Sequence, residues 1–303
     1  MGKLNLADCP APPPGWPSPP AAAGHPPYLK GIAMSIVLIA EAATNHGGDL
    51  KKARDMVWAA SRAGADYVKF QAWQVKNIKN PTRRDIEREL SDRDLLTLRD
   101  EADCAGIQFL VSVFDRERIP FVREQLGCKE VKVPSQDLTA WKLLEDCAST
   151  FDRVYLSTGM SKFGEIERAK MILGFRGILL HCVSKYPCPL GDACLEKIRR
   201  LGSIFSPVGY SDHCLGIDVA LAAAYMGAEI IEVHFSLDKD PADAFNIASK
   251  SPGELATLAT RLHELPVIIG NGSFELTPED RAARRQWKNY RGQNHDESIM
   301  SNS

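Results

Sequence analysis

The stretch IVLIAE at residues 36–41, NHGG at 45–48 and YVKFQ at 67–71 decides the fold, because Asp49–Ala63 between them has helical rather than alternating period. A short β-type run, an amphipathic helix and a second β-type run make a β-α-β unit, and the same order recurs downstream. After Ile36–Glu41 and Tyr67–Gln71 the β-type runs are Gln108–Phe114, Glu130–Ser135, Val154–Thr158, Gly177–Cys182, Val208–Asp212 and Ile230–Phe235. Helical period marks Ser91–Ala105, Thr139–Ala148, Ser161–Leu173, Leu215–Met226 and Ser251–Leu265. Eight strands in about 240 residues are the number and length of a closed (β/α)8 TIM barrel, an α/β fold. An open doubly wound sheet is the alternative. It normally carries a glycine-rich phosphate loop after its first strand, and Asn45-His46-Gly47-Gly48 is not one.

Outside the barrel, residues 1–33 hold nine of the 19 prolines and have little to bury, which predicts a disordered proline-rich tail. The barrel domain is expected over 34–275. Residues 276–303 are expected to form a basic terminal helix, Pro278–Tyr290, and a tail, with Arg281, Arg284, Arg285 and Lys288 as a solvated face. The chain of 303 residues is 44% hydrophobic and 25% charged, as a globular protein is. Its 37 Lys+Arg against 39 Asp+Glu leave a formal charge of −2. No bulk field then draws nucleic acid or an anionic membrane, and any bound anion needs a local site. No apolar run approaches a membrane span and no signal-peptide core precedes the barrel, so a cytoplasmic protein is expected. The eight cysteines contain no C-x-x-C pair and read as reduced thiols rather than bridges or a zinc cluster.

Catalytic groups in this fold stand at the C-terminal ends of the strands. Here every such end is polar. In order they bear Glu41, Lys69 with Gln71, Ser112, Lys132 with Ser135 and Asp137, and Ser157. His181 with Ser184 and Tyr186, Ser211 with Asp212 and His213, and Glu232 with His234 complete the ring. One or two would be ordinary caps, but all eight ends together favour a site. Lys69 and Lys132 are the most telling, since a buried ammonium without a partner costs several kcal/mol. Each expects an anion, from a substrate or from Glu41 or Asp137; a Schiff-base role for Lys132 is a further option. His213 and His234 end neighbouring strands, so closure brings two neutral imidazoles within reach of one cation such as Mn²⁺, Zn²⁺ or Fe²⁺. Ser112, Ser135, Ser157 and Ser211 are small hydroxyl donors suited to a phosphate cradle or to capping.

These residues fall in an ordered set of motifs. They are Ile39-Ala40-Glu41-x3-Asn45-His46-x-Gly48, Ala63-Gly64-Ala65-Asp66-x2-Lys69-Phe70-Gln71 and Leu156-Ser157-Thr158-Gly159-Met160. Downstream come His181-Cys182-Val183-Ser184-x-Tyr186-Pro187, Gly209-Tyr210-Ser211-Asp212-His213 and Gly227-Ala228-Glu229-x-Ile231-Glu232-x-His234-Phe235. From about Ile36 to Leu255 the chain resembles the barrel domain of the sialic acid synthases, N-acetylneuraminate synthase and its relatives. The resemblance implies condensation of phosphoenolpyruvate with the open-chain aldehyde of a 2-acetamido hexose, with a divalent metal, Mn²⁺ or Mg²⁺. It implies His213 and His234 as metal ligands. Lys69, Ser112, Lys132, Ser135, Ser157 and Ser211 would hold the phosphate and carboxylate of phosphoenolpyruvate, while Gln71, Asp137 and Tyr186 would meet the sugar. Ser184 is grouped with the substrate-binding residues, and Glu41 is expected to handle a proton or orient water.

Two departures bear on the acceptor. Where the family has an Asp four residues before a Ser, this chain has Phe245 before Ser249, with Asp243 out of register. The sequence also ends before the family's small C-terminal antifreeze-like domain, whose Arg reads the N-acyl group in the partner's site. Both changes remove polar readers of the sugar, so the expected acceptor differs from an N-acetylmannosamine-type sugar. Homodimerisation remains possible. The rival activities are a related 3-deoxy sugar acid phosphate synthase and a non-catalytic phosphoenolpyruvate- or sugar-binding barrel. A metal-dependent hydrolase lacks its His-x-His after strand one.

Overall fold

A computed structural model describes residues 36–288; the expected tail over 1–33 and the far end of the terminal helix lie outside the described residues. Eight parallel strands close into a barrel in chain order, with the first and last paired. They are β1 (Val37–Glu41), β2 (Tyr67–Gln71), β3 (Gln108–Ser112) and β4 (Glu130–Val133), then β5 (Arg153–Ser157), β6 (Gly177–Cys182), β7 (Val208–Asp212) and β8 (Ile230–His234). The helices are α1 (Leu50–Arg62), α2 (Arg83–Arg88), α3 (Asp92–Ala105), α4 (Trp141–Thr150) and α5 (Phe163–Leu173). After them come α6 (Glu196–Phe205), α7 (Asp218–Tyr225), α8 (Ala244–Ile247), α9 (Pro252–Ile269) and α10 (Pro278–Lys288). The (β/α)8 barrel is therefore the fold.

Between β3 and β4 the usual helix shrinks to a π-helical turn, Phe121–Gln125. Two short helices, α2 and α8, sit in the loops after β2 and β8. Asp49 caps α1 by accepting the Lys51 and Lys52 backbone N–H groups, while Ser91 and Asp94 form a capping box on α3. Gly48, at φ +84°, lets the loop after β1 press on α2, because a Cβ there would stand 1.9 Å from the Glu87 carbonyl oxygen. Compact units divide at Pro266 and Val267. In the second unit α10 opens with a Thr277–Asp280 capping pair and leaves Arg285 exposed.

Alternation along the strands separates two cores. Outward residues such as Leu38, Val68, Val111 and Val233 join the helices in the large core. Inward residues Ile39, Tyr67, Leu110, Tyr155, Leu180 and Ile230 fill the barrel itself. Beneath them Glu130 accepts the Tyr67 and Tyr155 hydroxyls at 2.9 and 2.8 Å. Two residues further along the same strands the inward face turns polar, with Glu41, Lys69, Ser112, Ser157 and Glu232 all buried. An apolar plug thus floors a polar layer at the C-terminal end.

The thiols need one correction. Cys104 is disulfide-bonded, whereas Cys128, Cys147, Cys182, Cys188, Cys194 and Cys214 are free.

Candidate active site

Pairing register sets the polar layer side by side. Glu41 lies opposite Lys69 on β2 and His234 on β8, Ser112 opposite Lys132, and Ser211 opposite Glu232. The cavity above them, about 940 Å³, is lined by each catalytic, substrate-binding and metal-binding candidate named from the sequence. His181 is different: it points to the outer side of β6, where Nε2 meets the Ala193 carbonyl at 2.8 Å. Asp212 likewise faces outward, against Lys250. The polar strand ends therefore serve two faces, of which one is the site.

Four buried charges occupy the floor. Lys69 pairs with Glu41, stands 3.5 Å from Glu232 and donates to Ser112 Oγ at 2.9 Å. Lys132 lies 3.5 Å from Glu232. The ion pair expected of Lys69 with Glu41 is present, but the partner of Lys132 is Glu232, a strand-end carboxylate whose sequence position alone assigns it no site role. Ser211 donates to Glu232 at 2.9 Å and bonds Ser157 at the same distance. Burial pushes Glu41 above the usual carboxylate range despite Lys69. For Glu232 burial acts the same way, yet Lys132 and Lys69 outweigh it and hold the group down to about 2. Burial lowers Lys132, whereas at Lys69 the glutamates overcome burial and raise it. The two carboxylates are pushed in opposite directions, Glu41 towards a higher affinity for a proton and Glu232 towards the fixed anion.

His213 and His234 stand with ring centroids 5.3 Å apart, and burial holds both below the ordinary imidazole range, so both are neutral. His213 Nδ1 donates to the Val183 carbonyl at 2.7 Å, which leaves Nε2 with its lone pair free. His234 Nδ1 is buried with no hydrogen-bond partner among the described residues. Two neutral imidazoles with unspent nitrogen atoms fit one divalent ion. Among the described residues no cluster of three or more His, Cys, Asp or Glu completes such a shell. Oxygen atoms of water or substrate would have to do so.

The wall beside the histidines is aromatic. The Tyr186 ring packs at a tilt against His213, centroids 4.0 Å apart, and against Phe245 at 4.4 Å, while the Arg84 guanidinium lies 5.5 Å from the Phe245 ring. Asp243 does not replace the missing carboxylate. One of its oxygens accepts Arg84 and Arg88 at 2.6 and 2.9 Å, and the other caps α8. Across the cavity, burial and then Asp115 push Asp137 up to about 6, and its Oδ2 is buried without a partner among the described residues. Gln71 is oriented by Trp73, whose indole donates to it at 3.0 Å. Gly159 N–H donates to Ser135 Oγ at 3.0 Å.

Known proteins share this arrangement of chain. A N,N'-diacetyllegionaminic acid synthase of Legionella pneumophila is 35% identical over 278 residues, 83% of this chain and 77% of that protein. The human N-acetylneuraminate-9-phosphate synthase is 30% identical over 273 residues, 82% and 75% of the two chains. A crystal structure of an N-acetylneuraminic acid synthetase from Leptospira borgpetersenii, in complex with citrate, superposes with a TM-score of 0.77. It is 33% identical, and the match covers 86% of this chain and 93% of that one. Since residues 56–274 match the NeuB family description, the chain belongs to the NeuB family.

Proposed function

We propose that this chain condenses phosphoenolpyruvate with the open-chain aldehyde of an aldose-type sugar, giving a 2-keto-3-deoxy sugar acid and inorganic phosphate. The observation that carries it is the meeting of Lys69 and Lys132 with the His213–His234 pair in one cavity. Lys69 and Lys132, with Ser112, Ser135, Ser157, Ser184 and Ser211, bind the phosphate and carboxylate of the substrate. An arriving anion takes over ammonium groups that Glu41 and Glu232 otherwise hold. His213 and His234 would hold a divalent ion, Mn²⁺ or Mg²⁺, which would supply Lewis-acid polarisation of the aldehyde oxygen.

C3 of phosphoenolpyruvate forms the new bond to the aldehyde carbon, and the carbonyl electron pair becomes an alkoxide that takes a proton. Water then adds at C2, and the C2–O bond to phosphate breaks. Glu41, with its raised affinity for a proton, handles the proton or orients that water. Glu232 stays ionised and keeps both lysines charged. Gln71, Asp137 and Tyr186 meet the acceptor, and Phe245 replaces a hydrogen-bonding reader with an apolar wall.

The test is phosphate release from phosphoenolpyruvate with Mn²⁺ and a panel of free and phosphorylated aldoses. Turnover is expected only with an acceptor, and His213→Ala and His234→Ala should each abolish it. Silence with every acceptor would sink the enzyme assignment. Efficient use of N-acetylmannosamine would remove the altered-acceptor part alone, and a requirement for a phosphorylated aldose would favour the sugar acid phosphate synthase.

A further inference from the structure

Lys250 and Asp212 are joined by an ion pair, Nζ to Oδ2 at 2.9 Å, with both side chains at 0% exposure. Neither lines the cavity, and neither has a part in the chemistry above. The ammonium pairs electrostatically with Asp212 Oδ2 and donates to the Cys214 carbonyl at 2.6 Å and the Ala248 carbonyl at 3.4 Å. Asp212 Oδ1 accepts the Cys214 N–H at 3.0 Å. The residues on either side of His213 are thus both held by one buried cation.

The backbone of the same lysine holds the other histidine. Lys250 N–H donates to the His234 carbonyl at 2.6 Å, and its carbonyl accepts the Ser236 N–H at 3.1 Å. An isolated parallel bridge joins Phe235 to Lys250. Lys250 therefore grips the β7 end with its side chain and the β8 end with its main chain. A fully buried ion pair is poor value as a source of stability, since an apolar pair of similar volume does as well or better. An apolar pair could not supply directional bonds to two separate backbones.

We propose that Lys250, together with Asp212, is a positioning residue for His213 and His234. It fixes the separation at which the two imidazoles share one divalent ion, a role that rests on the reading of these histidines as metal ligands. Outer partners of metal-bound histidines typically alter affinity by about 10- to 100-fold when removed.

The experiment is Mn²⁺ titration of the metal-free full chain, followed by the electron paramagnetic resonance signal of unbound Mn²⁺, with thermal melting of each variant. Lys250→Met/Asp212→Asn removes the ion pair without stranding a charge. Glu101→Gln is the control, a buried carboxylate tied to Arg54 and Trp58 away from the cavity. The double variant should bind Mn²⁺ about tenfold more weakly or worse, while Glu101→Gln melts lower and binds as the unaltered chain does. Unchanged affinity in the double variant overturns the proposal, as does an equal loss in Glu101→Gln. Should the double variant not fold, Lys250→Arg decides by the same titration: its guanidinium exceeds the slot, so undiminished affinity overturns the proposal. No Mn²⁺ binding by the unaltered chain, or binding indifferent to His213→Ala, overturns the metal reading first and this role with it.

Discussion

Gly159 measures how little space is left beside Ser135 and Ser184, the proposed phosphate cradle. A Cβ there would lie 2.5 Å from Ser184 Oγ and 2.9 Å from Ser135 Oγ, so Gly159→Ala must drive both hydroxyls from where they stand. Losing one or two hydrogen bonds to a charged group should raise KM for phosphoenolpyruvate about tenfold or more, with a smaller change in kcat. Steady-state phosphate release on a normally folded variant checks this, and an unchanged KM would remove Ser135 and Ser184 from the phosphate cradle. Single residues also mark the limit of what the sequence discloses. Lys69 and Lys132 stand out because an ammonium inside an apolar run demands a partner. Glu232 does not, because a carboxylate at a strand end is equally a cap, and only closure of the barrel sets it 3.5 Å from both lysines. His181 and Asp212 are as polar as their neighbours, yet they face the helices. Parallel strands buried on both faces are apolar throughout and hide which residues point inward.

The loop joining β1 to α1 contains a buried acceptor that fails in acid. His46 Nδ1 accepts the Gly48 N–H at 3.0 Å, and burial, with Arg88 and Lys52 nearby, lowers its pKa to about 4. The unfolded chain takes up that proton near 6.5, so below this value the unfolded state binds a proton that the folded state refuses. Stability should fall as pH drops from about 6.5 towards 4, by on the order of 3 kcal/mol for this group. Urea unfolding at pH 7 and pH 4.5 should show the loss, and His46→Gln should show less of it. Equal slopes in the two proteins would refute the assignment. At this scale the strands were the most legible elements: Tyr67–Gln71, Gly177–Cys182 and Val208–Asp212 keep the bounds read from their apolar runs. Helix α6 escapes the sequence reading because its N-cap is Leu195, which cannot cap, and Gly202 interrupts it, although Ile198, Leu201 and Phe205 keep the helical spacing. Helices α2 and α8 are too short for periodicity to register, although α2 brings Arg84 and Arg88 to the cavity wall.

The barrel as a whole trades stability for its polar layer. Glu41, Lys69, Lys132 and Glu232 are each buried above an apolar plug that would continue more cheaply as hydrocarbon. Desolvating an ion costs several kcal/mol, and attraction between partners 3.5 Å apart recovers only part of it. The downward displacement of Lys132 by burial has the same origin, for Glu232 is shared with Lys69 and cannot fully serve both. Lys132→Met/Glu232→Leu removes one charge of each sign, and Ser211 keeps its 2.9 Å bond to Ser157. Exchange of a buried ion pair for apolar side chains is neutral or stabilising by about 1–4 kcal/mol. The double variant should therefore melt at or above the temperature of the unaltered chain while phosphate release falls to background, a division expected where selection has kept charge for chemistry. Melting curves and the phosphate assay on the same preparation decide it. A markedly lower Tm would mean that this pair holds the barrel together, and retained turnover would mean that phosphoenolpyruvate is bound without Lys132.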